Sequence, residues 1–541
     1  MQGRLSWLVV PLLVSMGPGL ALGASTELGP GDDIEAAIQA LGPGDELVLR
    51  GGLYTLTERF SFGIAGTEQQ PILIRAKDGE RPHLMRPNAN ENLIDIDQAD
   101  YVTLRGIEFS GGSAGLRISA ARFLTIEACE IHDTGDVALR ANDSGVTYES
   151  LRILNNHIHD THDTGEGMYL GCNNDDCRLA NSLIAGNWVH HTNAADVAQG
   201  DGIEIKEGSH DNVIRDNVIH DTHYPCILTY SATGNGGPNI IERNVMWNCG
   251  DHGIQSAADA IIRNNLILSA GSDGIAMQQH QSGAPSNLVV VHNTILKATN
   301  DAISVRNNTG NVLIANNALF APNGDAVYLG GGMPGLITVA GNAGQGNAAG
   351  GVAAAVLADL VNAHLNGAPP IDLFPAPGGA LIGAGDPAHV VLDDFNGTPR
   401  NGVADIGAYA FAAGGNPGWV IGAGFKDGVG AVPPPFDGGL PDQGSPDADP
   451  TDQGTGGPDD ATSGADVLSG VDVPVGDGGS GDAGRLDAGA TPDAGATADA
   501  GATVEAAKGS CGCRSNAHDP GPPGLLFGLP VVLFLRRRRR P

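Results

Sequence analysis

The sequence predicts an all-β protein, a parallel β-helix (solenoid) of about ten coils with an N-terminal helical cap, followed by a disordered tail. An asparagine followed by an apolar residue recurs along the chain, and each interval contains a short apolar–polar alternation. Such a period suits one solenoid coil, which buries its apolar face only by stacking on its neighbours. The gaps between successive asparagines are 31, 30, 27, 21, 28 and 24 residues, and the asparagines are Asn156, Asn187, Asn217, Asn244, Asn265, Asn293 and Asn317.

The N-terminus has the pattern of a secretory signal peptide over residues 1–24. Arg4 supplies the positive start, an apolar stretch follows, and Ala21-Leu22-Gly23-Ala24 is a small-residue cleavage region. We therefore expect an exported protein. Asp32–Leu41 then predicts a short amphipathic helix that caps the open end of the solenoid, whose strand edges would otherwise be exposed. The β-helix domain is predicted to span residues 25–411.

Each predicted coil begins with a small residue and an alternating triplet, as in Gly202-Ile203-Glu204-Ile205. Alternation of period two places Ile203 and Ile205 inside and Glu204 and Lys206 outside. The recurrent asparagines are predicted to lie in inward turns and to hydrogen-bond one coil to the next. The asparagine ladder is therefore interpreted as scaffold.

The net charge of −33 limits the partners of the chain. The acidity extends through the solenoid as well as the tail, so phosphate backbones would be repelled and no nucleic-acid partner is expected. An acidic polysaccharide would be repelled too, unless a basic spot or a bound cation bridges it. We expect a monomer.

The seven cysteines suit an exported chain, because an oxidising compartment permits disulfides. Cys172 and Cys177 bracket a polar loop and are predicted to form a disulfide. Cys226 and Cys249 lie about one coil apart, and their pairing is left open. Cys129 occupies an asparagine position of its coil and is predicted to be a buried free thiol.

The last part of the chain differs in composition. Residues 412–508 are rich in Gly, Ala, Asp, Pro and Thr and are predicted to form a disordered, self-repelling linker. Residues 509–541 combine Cys511-Gly512-Cys513, the apolar run Leu525–Leu535 and the cluster Arg536–Arg540. This layout resembles the tripartite C-terminal sorting signals of myxobacterial surface proteins. The resemblance implies processing near the cysteines and attachment to the outer surface of the membrane, with an ordinary membrane tail as the alternative.

In a solenoid, outward residues at the same position of successive coils line up in columns. Polar side chains are concentrated in the columns of the middle coils. One column carries Arg140, Tyr169, Glu204 and Gln255, and the next carries Lys206 and Tyr230. An acidic column lies just before the strands. Its members are Glu166, Asp201, Asp273, Asp301 and Asp325, with His252 interposed.

This set suits β-elimination on an extracellular uronic-acid polysaccharide. A cation neutralises the C6 carboxylate and lowers the pKa of the C5–H, and a base removes that proton. The predicted catalytic residues are Lys206, as the base, with Glu204 and Arg140. The predicted Ca²⁺ ligands are Glu166, Asp201 and Glu204, since Ca²⁺ prefers hard oxygen ligands. The predicted sugar-binding residues are Tyr169, His223, Tyr230 and Gln255.

Simpler interpretations stay open at this stage. Glu204 and Lys206 also fit a plain surface ion pair, and acidic residues before glycine commonly close turns. The repeated His-Asp-Thr series, at His132, His159 and His220, is interpreted as turn structure. In the alternative function, the protein is a non-catalytic carbohydrate-binding or adhesive surface protein.

The coil pattern, with Gly51-Gly52-Leu53-Tyr54 and Pro71–Ala76 at its start, resembles the right-handed parallel β-helix, pectate-lyase-like superfamily. The segment Asp201–Ser231 is similar to the chondroitinase B and alginate lyase family, where a lysine base precedes an Asn-x-Ile-x-x-Asn coil. Lys206 before Asn212–Asn217 matches that base. Ser231 occupies the position of the family's catalytic arginine. Gln199 and Asp201 occupy the positions of the two glutamates that bind calcium in the family. The resemblance implies a lyase with Lys206 as base and calcium as cofactor.

Overall fold

A computed structural model of the protein describes residues 23–347 and 350–426. The predicted sorting tail 509–541, residues 1–22 of the predicted signal peptide and residues 427–508 of the predicted linker lie outside this range. In the described part, no helix is long and apolar enough to cross a membrane.

The regular structure of the described residues is almost entirely β-strand, with one short α-helix, α1 (Ile34–Gln39). Among the same residues, four 3₁₀ turns span Asn173–Asp175, Pro334–Leu336, Leu357–Asp359 and Pro387–His389. The first half of the strands comprises β1 Ser25–Leu28, β2 Glu46–Leu49, β3 Gly52–Thr55, β4 Ser61–Ala65, β5 Ile72–Ala76, β6 Pro82–Arg86, β7 Ile94–Asp100, β8 Val102–Arg105, β9 Glu108–Gly111, β10 Leu116–Ile118, β11 Ala121–Arg122, β12 Thr125–Glu127, β13 Glu130–Thr134, β14 Leu139–Ala141, β15 Thr147–Glu149, β16 Arg152–Leu154, β17 His157–Thr161, β18 Met168–Leu170, β19 Arg178–Ala180, β20 Leu183–Ala185 and β21 Trp188–Thr192. The second half comprises β22 Ile203–Ile205, β23 Val213–Arg215, β24 Val218–Thr222, β25 Ile227–Thr229, β26 Asn239–Glu242, β27 Val245–Cys249, β28 Ile254–Ser256, β29 Ala260–Arg263, β30 Leu266–Ile267, β31 Ile275–Met277, β32 Leu288–Val291, β33 Thr294–Leu296, β34 Ile303–Arg306, β35 Val312–Ala315, β36 Ala318–Asp325, β37 Val327–Gly330, β38 Ile337–Ala340, β39 Asn342–Asn347, β40 Val352–Ala354, β41 Leu360–Asn362 and β42 Asp372–Pro375.

Three parallel sheets run the length of the molecule, and a regular coil gives one strand to each. Sheet 1 has the order β1-β2-β5-β8-β12-β16-β20-β23-β26-β29-β32-β35-β38. Sheet 2 has the order β3-β6-β9-β13-β17-β21-β24-β27-β30-β33-β36-β39-β40. Sheet 3 has the order β19-β15-β11-β7-β10-β14-β18-β22-β25-β28-β31-β34-β37, with β4 also on β7. This is the predicted parallel β-solenoid, with about 11 turns.

The N-terminal helix forms where the sequence predicts it, although it is shorter. Asp33 is its N-cap, and the carboxylate accepts a hydrogen bond from Ala36 N at 3.0 Å, which satisfies one of the free amides of the first turn. Ile34 and Ile38 are four residues apart and therefore share one face. Both are buried in the main core of the solenoid. The helix is thus attached to the first coils by an apolar face.

The interior is filled by the inward residues of the strands. Ile203 and Ile205 of β22 are fully buried, as the alternation predicts. Ile184 of β20 and Ile219 of β24 complete the apolar lining of the same coil region and are equally buried. Because each coil repeats this arrangement, the stacked side chains form one continuous core.

The asparagine ladder connects the coils between sheets 1 and 2. Asn217 Nδ2 donates to Ile184 O at 3.1 Å and to Asn244 Oδ1 at 2.9 Å. Its Oδ1 accepts from Asn187 N at 2.9 Å and from Asn187 Nδ2 at 3.0 Å. Asn217 and its two ladder neighbours, Asn187 and Asn244, are fully buried. The ladder therefore satisfies buried polar groups, which confirms its interpretation as scaffold.

We expect Asn217→Ala to destabilise the fold by about 2–5 kcal/mol, because several buried partners lose their hydrogen bonds at once. Chemical unfolding followed by circular dichroism measures the free energy of unfolding. Asn193→Ala, which removes an exposed asparagine from a loop, is the matched control. Equal stability of the two variants would contradict a structural role of the ladder.

The described cysteines agree with two predictions and decide the pairing that the sequence leaves open. Cys172 and Cys177 form a disulfide, which confirms that prediction. Cys226 and Cys249 form a second one, which joins two successive coils. Cys129 is a buried free thiol, and burial raises its pKa to about 11. A thiol with such a pKa stays protonated and unreactive.

Residues 355–421 fold back over the C-terminal half of sheet 2. Their apolar side chains, among them Phe374, Phe395 and Tyr409, pack on outward residues such as Leu266 and Phe320. Packing continues beyond residue 411, the predicted end of the domain. Lys426 Nζ donates to Asp216 Oδ1 at 2.8 Å and to Phe395 O at 2.7 Å. Phe425 extends this cover towards the N-terminal strands of sheet 2, where its ring packs near those of His157 and Trp188.

Candidate functional site

The outward columns of sheet 3 have the register that the sequence predicts. Arg140 pairs with Tyr169, and Tyr169 pairs with Glu204 on the next coil. Leu228 and Gln255 then continue the same column. These residues therefore succeed one another at the spacing of neighbouring strands, about 4.8 Å.

Lys206 is the centre of a compact polar cluster. Its Nζ forms an ion pair with Glu204 Oε1 and lies 3.2 Å from the Tyr230 hydroxyl. The Tyr230 O–H also donates to Glu204 Oε1 at 3.0 Å. The Lys206 ammonium lies 4.3 Å from the ring centroid of Tyr169 and 4.9 Å from that of Tyr230, which are cation–π distances. We call Glu204, Lys206, Tyr169 and Tyr230 the lysine cluster.

The lysine cluster is buried, so the interpretation of Glu204 and Lys206 as a surface ion pair is wrong. The side chain of Lys206 is 5% exposed and that of Glu204 is 2% exposed. An ion pair taken out of water is retained only where good geometry and further hydrogen bonds compensate for desolvation. Tyr230 and the Tyr169 ring provide that compensation here.

Three carboxylates meet beside the lysine cluster. Oxygen atoms of Glu166, Asp201 and Glu204 all lie within 4.8 Å of one another, and each residue is about 1% exposed. Glu166 Oε2 accepts from Thr164 Oγ1 at 2.7 Å. Within the described residues, Asp201 Oδ1 and Glu204 Oε2 are buried and accept no hydrogen bond. We call Glu166, Asp201 and Glu204 the carboxylate triad.

The carboxylate triad fits a calcium ion. Hard oxygen ligands are those that Ca²⁺ prefers, and two buried oxygens lack any other partner. Three carboxylates and the Lys206 ammonium leave a local charge of −2, which one divalent cation would balance. The residues present therefore suit the group that the sequence predicts for this position.

The electrostatics reflect this crowding of negative charge. Burial, together with the neighbouring Glu204 and Glu166 carboxylates, raises the pKa of Asp201 well above its ordinary range. Burial likewise raises the pKa of Glu166. Burial alone would lower the pKa of Lys206, but Glu204 and Tyr169 outweigh it, and the net pKa is raised. Burial and Glu204 raise the pKa of Tyr230, so the phenol retains its proton.

The remaining acidic column closes turns. Asp273 accepts hydrogen bonds from Ser304 Oγ at 2.7 Å and from Asp301 N at 3.3 Å. Asp301 in turn accepts from Asp325 N at 2.9 Å. His252 Nδ1 accepts from Asp273 N at 3.1 Å. The predicted acidic column therefore divides into a turn-forming part and the carboxylate triad.

Three predicted site residues lie outside both the lysine cluster and the carboxylate triad. Arg140 Nη1 donates to Asp136 Oδ2 at 3.2 Å, one strand from Tyr169. Gln255 is buried two strands from Glu204 in the same column. His223 is exposed, and its ring lies 5.4 Å from that of Tyr224. The structure thus brings together six of the predicted residues and leaves Arg140, Gln255 and His223 at its margins.

A loop after β31 covers the site, and no pattern in the sequence predicts it. His280 Nε2 lies 2.9 Å from the Tyr230 hydroxyl. Gln281 Nε2 donates to Asn173 Oδ1 at 2.7 Å, on the loop closed by the first disulfide. Ser282 N donates to Glu207 Oε1 at 3.1 Å. We call residues 278–286 the covering loop; its contacts explain the burial of Lys206.

The open part of the face lies on the N-terminal side of Tyr169. Arg117 and Arg140 are stacked on adjacent strands, and their side chains are 26% and 23% exposed. Arg117 forms an ion pair with Asp143, and Arg140 with Asp136. Two guanidinium groups, each about a quarter exposed, therefore border the buried site on its N-terminal side.

Two positions of the family resemblance do not contribute to the cluster. Gln199 is exposed, whereas Glu166 occupies the third position of the carboxylate triad. Ser231 Oγ donates to Asp259 Oδ2 at 2.8 Å instead of contacting the lysine cluster. The carboxylate triad therefore draws on Glu166 of one coil and on Asp201 and Glu204 of the next.

Comparison with known proteins agrees with this fold. Residues 17–237 match the family described as Pel9A-like, right handed beta helix region, and residues 190–319 match the right handed beta helix region family. These matches confirm the predicted resemblance to right-handed parallel β-helix proteins. None of the curated proteins matches the sequence.

Similar solved structures include three carbohydrate-active proteins. The pectate lyase Pel9A is 15% identical with a TM-score of 0.45, and the match covers 73% of this chain and 98% of that one. An alginate lyase from Paenibacillus sp. str. FPU-7 is 19% identical with a TM-score of 0.39, over 58% and 99% of the two chains. The A-module of the Azotobacter vinelandii mannuronan C-5 epimerase AlgE6 is 16% identical with a TM-score of 0.38, over 60% and 95%.

Proposed function

We propose that this protein acts on an extracellular polysaccharide and cleaves a uronic-acid polymer by β-elimination. The observation that carries the proposal is the contact between the carboxylate triad and the lysine cluster. Glu204 belongs to both, since it lies with Glu166 and Asp201 and also pairs with Lys206. A candidate cation site and a candidate base therefore adjoin, and β-elimination next to a carboxylate uses a cation and a base close together.

Calcium is the proposed cofactor, held by Glu166, Asp201 and Glu204. Bound there, it supplies positive charge that neutralises the C6 carboxylate of a uronate and lowers the pKa of the C5–H. The three side chains provide oxygen ligands from two successive coils, so the scaffold fixes their separation. Ca²⁺ takes six to eight oxygens, which leaves positions for water and for substrate.

Lys206 is the proposed base, and Tyr230 the proposed acid. The Lys206 amine takes the proton from C5, the C4–O bond breaks, and a C4=C5 double bond forms. The leaving oxygen takes a proton from the Tyr230 hydroxyl, whose raised pKa keeps it protonated until then. Lys206 needs to be neutral to act as a base. If Glu204 were bound to the metal ion, its carboxylate would no longer stabilise the positive charge of Lys206.

Arg140 and Tyr169 are the proposed contacts for the neighbouring sugars. Tyr169 lies on the strand adjacent to that of Glu204, and Arg140 lies one strand further towards the N-terminus. A guanidinium recognises a carboxylate through paired hydrogen bonds, and an aromatic ring packs on the apolar face of a sugar. Arg117 extends the same row by one more coil.

A second candidate function is binding of the polysaccharide without cleavage. The observation in its favour is the burial of Lys206 beneath the covering loop, which holds the lysine in an ion pair with Glu204. In that case Arg117, Arg140 and Tyr169 would retain the polymer on the surface, and the lysine cluster would be structural.

Incubation with alginate, pectate and chondroitin tests the proposal. We expect one polymer to yield unsaturated uronate, followed by ultraviolet absorbance, and we expect EDTA to abolish the signal and calcium to restore it. Binding of a polymer in an affinity gel without any unsaturated product would favour the second candidate. Neither product nor binding with any uronate polymer would contradict both.

Export and display at the cell surface are part of the proposal. Support comes from the two disulfides, Cys172–Cys177 and Cys226–Cys249, which form and persist in oxidising compartments. Fractionation of the producing cells, with detection by an antibody against the β-helix, tests this. Recovery of the protein only from the cytoplasm would contradict it.

A further inference from the structure

A row of stacked aromatic rings runs along the outside of sheet 2. The rings of His132, His159, His190 and His220 are stacked at 5.0 Å between successive centroids, within 8° of parallel. Trp247 continues the row at 4.3 Å from His220. These residues occupy one outward column of β13, β17, β21, β24 and β27, and we call them the histidine row.

The His-Asp-Thr series is therefore more than turn structure. Each aspartate has a positive φ at the strand end, 49° for Asp133, 54° for Asp160 and 54° for Asp221. Each also accepts a hydrogen bond from Nδ1 of its own histidine, at 2.6–2.7 Å. The aspartates thus fix the imidazoles in the tautomer that bears the Nδ1 proton and leave Nε2 as a lone pair.

Next to the histidine row, Glu130 carries one oxygen that faces two imidazole nitrogens. Glu130 Oε1 lies 3.1 Å from His157 Nδ1 and 3.1 Å from His159 Nε2. The three side chains are between 14% and 20% exposed, so solutes reach them. His159 therefore has a carboxylate at each ring nitrogen, Asp160 at Nδ1 and Glu130 at Nε2. A cation, either a second proton or a metal ion, is required between Nε2 and Glu130.

We propose that Glu130, His157 and His159 bind a zinc ion on the outside of sheet 2. At metal–ligand distances of about 2.0–2.1 Å, two ligands of a tetrahedral zinc lie about 3.3 Å apart, which is close to the spacing here. Two imidazoles and one carboxylate form a common zinc ligand set, with water in the fourth position. The Asp160 carboxylate, hydrogen-bonded to the far nitrogen of His159, is the usual second partner of a zinc-binding histidine.

The other nitrogen of His157 is also partnered as zinc binding requires. His157 Nε2 lies 2.8 Å from His190 Nε2, so a proton on His157 Nε2 can be donated to His190 and leave Nδ1 free for the metal. Zinc binds an imidazole through a ring nitrogen that carries no proton.

The adjacent coil repeats the geometry less tightly. Glu108 Oε1 lies 3.3 Å from His83 Nδ1 and 3.4 Å from His132 Nε2. Arg81 pairs with the second oxygen, Oε2, of both Glu108 and Glu130 and so leaves both Oε1 atoms to the histidines. We expect a second zinc ion to bind at Glu108 with lower affinity than the first zinc ion binds at Glu130.

Zinc titration of the full chain tests the proposal. Thiols are alkylated beforehand because Cys511 and Cys513 would bind zinc, and calcium is kept in excess to occupy the carboxylate triad. We expect calorimetry to report one tight site, and the fluorescence of Trp188, whose ring is stacked on His157 at 4.1 Å, to change in parallel. Glu130→Gln and His159→Gln are expected to weaken binding at the tight site by at least about tenfold.

His220→Gln is the matched control. His220 belongs to the same row and is paired with Asp221 in the same way, but its Nε2 accepts from Trp188 Nε1 at 3.0 Å instead of facing a glutamate. It should retain the tight site. Thermal melting without zinc verifies that each variant is folded. Absence of zinc binding to the wild type, or equal affinity in wild type, Glu130→Gln and His159→Gln, would overturn the proposal.

Discussion

Lys206→Met is expected to lower the rate of polysaccharide cleavage by about 10²–10⁴-fold, the usual contribution of a positioned general base. Methionine has a similar length and fills the space beside Tyr169 and Tyr230, but it carries no amine. The measurement is the initial rate of formation of unsaturated uronate on the polymer that the wild type cleaves. KM is expected to change little, because the amine acts on the reacting proton and Arg140 and Tyr169 provide the proposed binding contacts.

The control is Lys297→Met. Lys297 is another buried lysine, and its Nζ donates to the backbone carbonyl of Ala270 on a different part of the solenoid. Its replacement should reduce stability and leave the rate constant of the folded enzyme unchanged. If both variants keep the wild-type rate, Lys206 is not the base and its pair with Glu204 is structural.

Asp201→Asn is expected to stabilise the calcium-free protein and to abolish stabilisation by calcium. The buried Asp201 carboxylate lacks a partner at Oδ1 and lies among two further carboxylates, so an amide removes an unfavourable charge. We expect a gain of about 1–3 kcal/mol without calcium at neutral pH. Thermal and chemical unfolding, each with calcium and with EDTA, measure both effects.

The pH dependence provides an independent measurement. The folded-state pKa of Asp201 is raised, so the folded protein binds this proton more tightly than the unfolded chain does. The stability of the calcium-free wild type should therefore fall as the pH rises from the ordinary range of an aspartate towards the raised value. Asp201→Asn should flatten that slope, whereas Asp325→Asn, in the turn-forming part of the acidic column, should not. A wild type that is unaffected by calcium would refute the metal site.

The scaffold could be predicted from the repeat because the forces that form each coil act between residues of that coil and its immediate neighbours. Alternation in Gly202–Ile205 separates inward from outward residues, and the asparagine spacing aligns successive coils. These two facts were sufficient to place Tyr169 beside Glu204, a pairing that the structure confirms. The disulfide Cys172–Cys177 was predictable for the same reason, since both ends lie within one short loop.

The environment of the site was not predictable, since it depends on contacts between distant coils. The covering loop approaches Asn173 from more than a hundred residues away along the chain, and no periodicity records that approach. His280 consequently escaped notice, although it touches Tyr230. The outward position of Lys206 was correctly derived, but its burial depends on Tyr169, on Tyr230 and on the covering loop that contacts Tyr230.

The histidines were undervalued for a related reason. His132 and His159, taken singly, resemble ordinary turn residues, and only the equal rise per coil brings their rings into a stack. Glu130 and His157 belong to the neighbouring column. The proposed zinc ligands Glu130, His157 and His159 therefore come from two columns and two coils. A search for repeated polar residues in adjacent outward columns would have found it.

The unequal spacing of the asparagines has a consequence for how such a molecule can change. Asn156 and Asn187 are 31 residues apart and Asn244 and Asn265 only 21, yet both pairs form the same side-chain hydrogen bond at 3.0 Å. Extra residues therefore leave the coil at a corner and do not strain the stack. Segments at these corners can be lengthened, shortened or exchanged while the framework keeps its dimensions, so new specificity can be acquired by grafting a corner segment.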